Sequence, residues 1–225
     1  MKKKAIVLLS GGLDSATTLY IARDSGFKPF CMIFDYGQRH AREIKSARRL
    51  AQTCGCDSKI VRIKLPWGDS ALTSRNIAVP VGRDIKKITR GGIPITYVPA
   101  RNTIFLSFAL SWAEAIKAQA IFIGANVLDF SGYPDCRPEF YRAFSNLIRL
   151  GTKAGAEGER IKILTPLINK GKGEIIKIGM KLGVPYELTW SCYKGGKTPC
   201  KKCDSCLFRA KGFREAGVED PLITK

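Results

Sequence analysis

The chain holds a single histidine, His40, and this scarcity removes much familiar chemistry at once. A hydroxyl or thiol activated by imidazole needs a histidine set among partner residues, and no such pattern is present. No apolar run reaches the ~18 residues a membrane span requires. The stretch Ala5 to Leu9 is too short for the hydrophobic part of a secretion signal, and no small-residue cleavage site follows it, so the protein is expected in the cytoplasm. Two phosphate-binding patterns are missing. Ser191 stands where G-x-x-x-x-G-K-[ST] needs a glycine ahead of Gly196-Lys197-Thr198, and no G-x-G-x-x-G follows a strand. There is no internal repeat and no low-complexity tract.

Acidic residues are also few, 19 against 38 lysines and arginines, which leaves a formal net charge of +19. Such a field attracts polyanions: nucleotides, RNA or an anionic membrane. The basic residues are spread along the chain (Lys2 to Lys4, Arg48-Arg49, Lys86-Lys87, Lys201-Lys202) without the aromatic interleaving of a single-strand platform. The charge is therefore read as solubility plus a phosphate-binding cleft, with RNA binding as the alternative. At 225 residues, 45% of them hydrophobic, the chain can bury one sizeable core, or one core with a small appendage.

Hydrophobic periodicity supplies the organisation. An apolar run over residues 4–10 ends in Ser-Gly-Gly, and helical spacing follows through Leu13, Ala16, Leu19, Tyr20 and Ala22. Further strands are predicted at 30–34, 58–63, 120–124 and 161–164, and helices at 38–53, 103–117, 137–150 and 173–182. Short strands alternating with amphipathic helices argue for a parallel α/β sheet. Two segments break the pattern. Residues 65–95 form a long irregular stretch, expected to be a lid or a partner surface, with a homodimer as the expected assembly. Residues 185–206 are rich in cysteine and turns.

Ser10-Gly11-Gly12-Leu13-Asp14-Ser15 lies between the first strand and the first helix. Gly11 and Gly12 let backbone N–H groups approach an anion, and the helix N-terminus adds its positive dipole end. Ser10 and Ser15 offer hydroxyl donors. Asp14, an odd neighbour for phosphate, is expected as a helix cap or a magnesium contact.

Four of the eight cysteines cluster as Cys192-x7-Cys200-x2-Cys203-x2-Cys206. Four thiolates at this spacing suit a tetrahedral zinc site, and the lysines at 194, 197, 201 and 202 offset its excess negative charge. An iron–sulfur centre is the rival, but Ala210 stands where the next cysteine of a ferredoxin run would fall. Cys136 is read as a packed thiol rather than a nucleophile.

The SGGLDS loop after an N-terminal strand resembles the signature of the PP-loop ATP pyrophosphatases, and Lys172-Gly173-Glu174-Ile175 resembles a late motif of the same family. Four more stretches narrow the resemblance: Asp35 to His40, Tyr97 to Asn102, Asp129 to Phe140, and Ser191-Cys192-Tyr193. With the loop and the cysteines they look like the 7-cyano-7-deazaguanine synthases of the queuosine pathway. The resemblance implies an adenine nucleotide alpha hydrolase-like, Rossmann-like parallel sheet with flanking helices and a C-terminal zinc-binding segment. The ATP-binding domain would cover residues 1–184, with the irregular insertion at 65–95, and a helical segment carrying the zinc site would cover 185–225.

It also implies a ligase forming a carbon–nitrogen bond, which turns 7-carboxy-7-deazaguanine and free ammonia into the nitrile at the expense of ATP, with Mg2+ and Zn2+ as cofactors and no nucleic acid partner. Leu9 to Ser15, Asp35 and Tyr36 would bind the nucleotide. Asp129, Asp135, Arg137 and Glu139 would bind the deazapurine, unless that loop is merely held by caps and local ion pairs. Arg101 would meet phosphate or carboxylate, or else end a helix in an ion pair. Lys172 would neutralise the leaving phosphate, or else be a solvated lysine at a helix start. The alternative within the same superfamily is a tRNA-modifying enzyme that adenylates a base.

Overall fold

A computed structural model describes residues 2–39, 42–67, 70–85, 88, 92–127 and 132–223. Five strands, β1 (Lys4–Leu8), β2 (Lys28–Asp35), β3 (Asp57–Arg62), β4 (Ala120–Phe122) and β5 (Lys162–Leu164), form one sheet in the order β3-β2-β1-β4-β5. Every pairing is parallel; Ile6 sits opposite Phe30 on one side and Ile121 on the other. The helices are α1 (Leu13–Asp24), α2 (Arg42–Thr53), α3 (Arg101–Ala115), α4 (Pro138–Gly151), the short α5 (Lys153–Ala156), α6 (Lys172–Lys181) and α7 (Asp204–Ala216). The predicted strands and helices all appear, with ends that differ by at most four residues.

A parallel sheet covered on both faces needs strands that are apolar on both sides. β1 meets that demand: Ala5, Ile6 and Val7 are fully buried. Ala5, Val7 and Leu9 join Leu19, Ile33, Leu50, Ile175, Ile176 and Phe213 on one face. Ile6 and Leu8 join Met32, Leu106, Ile121, Tyr141 and Phe144 on the other. Phe213 of α7 thus sits in the same core as α1, and α7 packs along α6.

Among the described residues, 63–100 contain no strand of the sheet, and helical backbone only at Ile85 and Ile88. This stretch is nonetheless tied down. Val81 bridges Cys203, the Gly82 N–H donates to Lys202 O at 2.8 Å, and Arg83 pairs with the buried Asp204. Ala71 and Val79 pack with Trp190, Cys192, Cys203 and Cys206 in a third apolar cluster.

The strand order reverses between β1 and β4, and open α/β sheets bind ligands outside the carboxyl ends of the strands at such a point. Gly11, in the turn after β1, has φ of +86°, and a Cβ there would come within 2.3 Å of Glu43 O. Gly11→Ala is expected to cost more than about 1 kcal/mol in urea unfolding and to displace α2 from the loop.

Candidate active site

At the switch point lies a cavity of about 300 Å³. Its floor is the loop after β1. Gly12 caps α1 without a side-chain bond, and the first intrahelical bond runs from Ala16 N to Gly12 O at 3.0 Å. The N–H groups of residues 13–15 therefore have no partner within the helix, as an anion site requires. The serines differ from expectation. Ser15 Oγ accepts from Ser10 N at 3.2 Å and donates to Gly12 O at 3.0 Å, and it lies 3.0 Å from Ser10 Oγ. Ser10 Oγ also accepts from Gly12 N at 3.3 Å. The hydroxyls bond within the loop and hold its shape.

Asp14 is not a helix cap. Its carboxylate takes the Lys172 ammonium at 2.8 and 2.9 Å, joining the loop to the first residue of α6. Lys172 is 9% exposed and lines the cavity, so it is not a solvated lysine. Arg101, the first residue of α3, also lines the cavity. Burial pulls its pKa down, but Tyr36, Tyr133 and Asp135 outweigh that and hold the guanidinium charged. Ala100 before it adopts φ of 51°, a left-handed conformation uncommon for alanine, with its N–H bonded to the Tyr97 hydroxyl at 3.0 Å.

The remaining expected residues divide. Tyr36 lines the cavity, whereas the Asp35 carboxylate lies 3.9 Å from Arg62 and is absent from the lining. Asp135 is buried and accepts the Asn102 N–H at 3.0 Å, while the Asn102 amide donates to Asp135 O at 3.0 Å. It caps and orients the start of α3 instead of facing the cavity. Arg137 and Glu139 are exposed outside the lining, with Glu139 3.2 Å from Arg142. Asp129 lies outside the described residues, as does His40. Cys136 does line the cavity. Burial, with Asp135 adding to it, pushes its thiol up to about 11, and the Asn102 amide bonds the sulfur at 3.4 Å.

Several lining residues escaped the reading of the sequence, among them Glu43, Trp190 and Arg209. A glutamate in the first turn of an amphipathic helix reads as a complement to the helix dipole, and nothing local marks it further. Trp190 N donates to Gly11 O at 2.8 Å and its indole N–H to Cys192 O at 3.1 Å. One short segment therefore joins the phosphate loop to the cysteine cluster. There, the four sulfurs of Cys192, Cys200, Cys203 and Cys206 all lie within 4.8 Å of one another, and Cys200 Sγ is 3.9 Å from Cys206 Sγ. That is close to the edge of a tetrahedron with metal–sulfur bonds of about 2.3 Å. Backbone N–H groups of Cys200 and Cys203 donate to the Cys192 and Cys200 sulfurs at 3.3 Å, which suits thiolates. The donor set fits a structural metal ion.

A family model for "Queuosine biosynthesis protein QueC" matches residues 4–217. The chain belongs to the QueC family. It is 54% identical to a 7-cyano-7-deazaguanine synthase of Trichodesmium erythraeum over 98% of this chain and 100% of that protein. It is 56% identical to one of Methylococcus capsulatus over 97% of each. An NMN synthetase of Francisella tularensis shares the fold, with a TM-score of 0.51 at 15% identity over 97% of this chain and 78% of that one. No described helix is long and apolar enough to cross a membrane.

In this QueC chain a buried ion pair holds the cavity wall formed by α7. Arg209 donates to Asp220 at 2.7 and 2.8 Å, to Thr189 Oγ1 at 2.7 Å and to Tyr186 O at 3.1 Å, with both charged side chains under 10% exposed. Removing one partner strands a buried charge. Asp220→Ala is expected to destabilise by about 3–5 kcal/mol in urea unfolding, and Arg209→Met paired with Asp220→Leu to recover much of that loss.

Proposed function

We propose that this chain is a carbon–nitrogen ligase that converts 7-carboxy-7-deazaguanine and ammonia to 7-cyano-7-deazaguanine, using ATP. The observation that carries the reading is the convergence of the loop N–H groups, Lys172 and Arg101 on one cavity at the carboxyl ends of β1 and β4. Family membership supplies the substrate class.

In the first half, an oxygen of the substrate carboxylate attacks the α-phosphorus of ATP and the bond to pyrophosphate breaks. Charge builds on the departing phosphate, where the N–H groups of residues 13–15 and the Lys172 ammonium are aimed. Arg101 faces them as a fork donor that fits the carboxylate or the α-phosphate. Ammonia then attacks the acyl carbon, a C–N bond forms, AMP leaves and nitrogen loses a proton. In the second half the amide oxygen attacks a further ATP. The bond to its pyrophosphate breaks, and loss of AMP and of both N–H protons leaves the nitrile.

Mg2+ would enter on the phosphates, and the carboxylate beside the loop is Asp14. Zn2+ would be held by Cys192, Cys200, Cys203 and Cys206, where it supplies structural cross-linking. Residues 190–193 would then keep Trp190 against Gly11 and Ser191 and Tyr193 on the cavity wall.

Incubation with Mg-ATP, ammonium and 7-carboxy-7-deazaguanine is expected to yield the nitrile mass, with AMP and pyrophosphate as by-products. Lys172→Ala is expected to lower the rate by about 10²–10³-fold. An untouched carboxylate together with tRNA-dependent ATP cleavage would favour the tRNA-modifying alternative. Metal analysis is expected to find one zinc per chain, and removing it with a chelator to lower the melting temperature and weaken ATP binding measured by calorimetry.

A further inference from the structure

Both halves of the proposed reaction take a proton from nitrogen, and ammonia is mostly ammonium at neutral pH, so a base must stand beside the loop. Two acidic side chains line the cavity among the described residues, Asp14 and Glu43. Asp14 already holds Lys172. The tyrosines at 36, 133 and 193 are pushed up chiefly by burial and stay protonated, and Cys136 is pushed up to about 11.

Glu43 differs from each of these. It stands in the first turn of α2, and its backbone packs directly on Gly11, so its side chain rises from the phosphate loop into the cavity. Among the described residues no hydrogen bond or ion pair engages its carboxylate; Arg101 acts on it only at longer range. Glu43 and Arg101 thus line one cavity with the loop, and Arg101 is within electrostatic reach of Glu43.

We infer that Glu43 is the proton acceptor for the incoming nitrogen, taking a proton from ammonium and so freeing the lone pair that attacks. The inference rests on the function proposed above. In the step, one proton passes from ammonium to a Glu43 carboxylate oxygen, the freed nitrogen lone pair forms the C–N bond, the C–O bond to AMP breaks, and the second proton leaves with the AMP phosphate. The groups facing Glu43 are Arg101 of α3, Tyr36 after β2, and Cys192 and Tyr193 of the cysteine segment. Burial, the largest influence, pushes the carboxyl up to about 8, while Arg101 pulls it back.

The test compares wild type, Glu43→Gln and Glu43→Asp in three readouts. The first is carboxylate-dependent exchange of pyrophosphate into ATP without any amine. The second is amide plus nitrile formed from ammonium, and the third is hydroxamate formed from hydroxylamine, an amine already neutral at neutral pH. Glu43→Gln is expected to keep the exchange, to lose ammonium-dependent product by about 10²–10⁴-fold, and to spare hydroxamate. Glu43→Asp, which carries the test if the glutamine variant does not fold, is expected to show the same selectivity with a smaller loss. Equal loss of both amine products, or no loss of either, would overturn the role of Glu43. Absence of carboxylate-dependent exchange in the wild type would instead sink the proposed function.

Discussion

The free N–H groups at the start of α1 are the constraint on which the site depends. A helix must leave its first donors without intrahelical partners, and here they stand at the carboxyl edge of the sheet, where the strand order reverses. The loop is kept rigid from within by Ser10 and Ser15 and from behind by the contact of Gly11 with α2. Trp190 pins it from the C-terminal side. The backbone is thus shaped for an anion before any anion arrives, so little reorganisation is needed when charge develops there.

A chain with few acids places several of them against cations at the site or beside it. Asp14 holds Lys172, Asp220 holds Arg209, and Asp204 holds Arg83. Asp135 caps α3 where Arg101 begins and contributes to keeping that guanidinium charged. The partners lie far apart in sequence, so the pairs also cross-link elements: loop to α6, α7 to the C-terminal turn, and the irregular stretch to α7. Buried or half-buried cations of this kind are tolerated only when paired, which gives these acids structural as well as electrostatic weight.

The cysteine cluster belongs to the same construction. Cys192 is two residues from Trp190, and the segment between them lines the cavity. The irregular stretch packs its Ala71 and Val79 on the cluster, so a part of the chain with little core of its own gains an anchor. A metal there would stabilise a wall of the cavity without entering the chemistry.

The strands and helices, and the loop and cysteine motifs, were legible because each is a local pattern. Alternating apolar runs, a glycine turn between strand and helix, and thiols two residues apart all declare themselves within a few positions. The block from Asp129 to Phe140 was legible as a unit, but the roles inside it were not. Asp135 caps a helix start more than thirty residues earlier in the chain, and Glu139 bonds Arg142 on the surface. Glu43 left no local signal, because what distinguishes it is the contact of its backbone with Gly11 and the burial of its carboxyl. Lys172 could be read as a phosphate lysine or a solvated one; its burial and its pairing with Asp14 rule out the solvated reading. The sequence by itself determined the elements, the glycine loop after β1 and the cluster of four cysteines, since short-range sterics and spacing suffice for these. The tertiary structure alone decided which charges meet, because the energy of a charge depends on its partners and on the water excluded around it, and both come from distant parts of the chain.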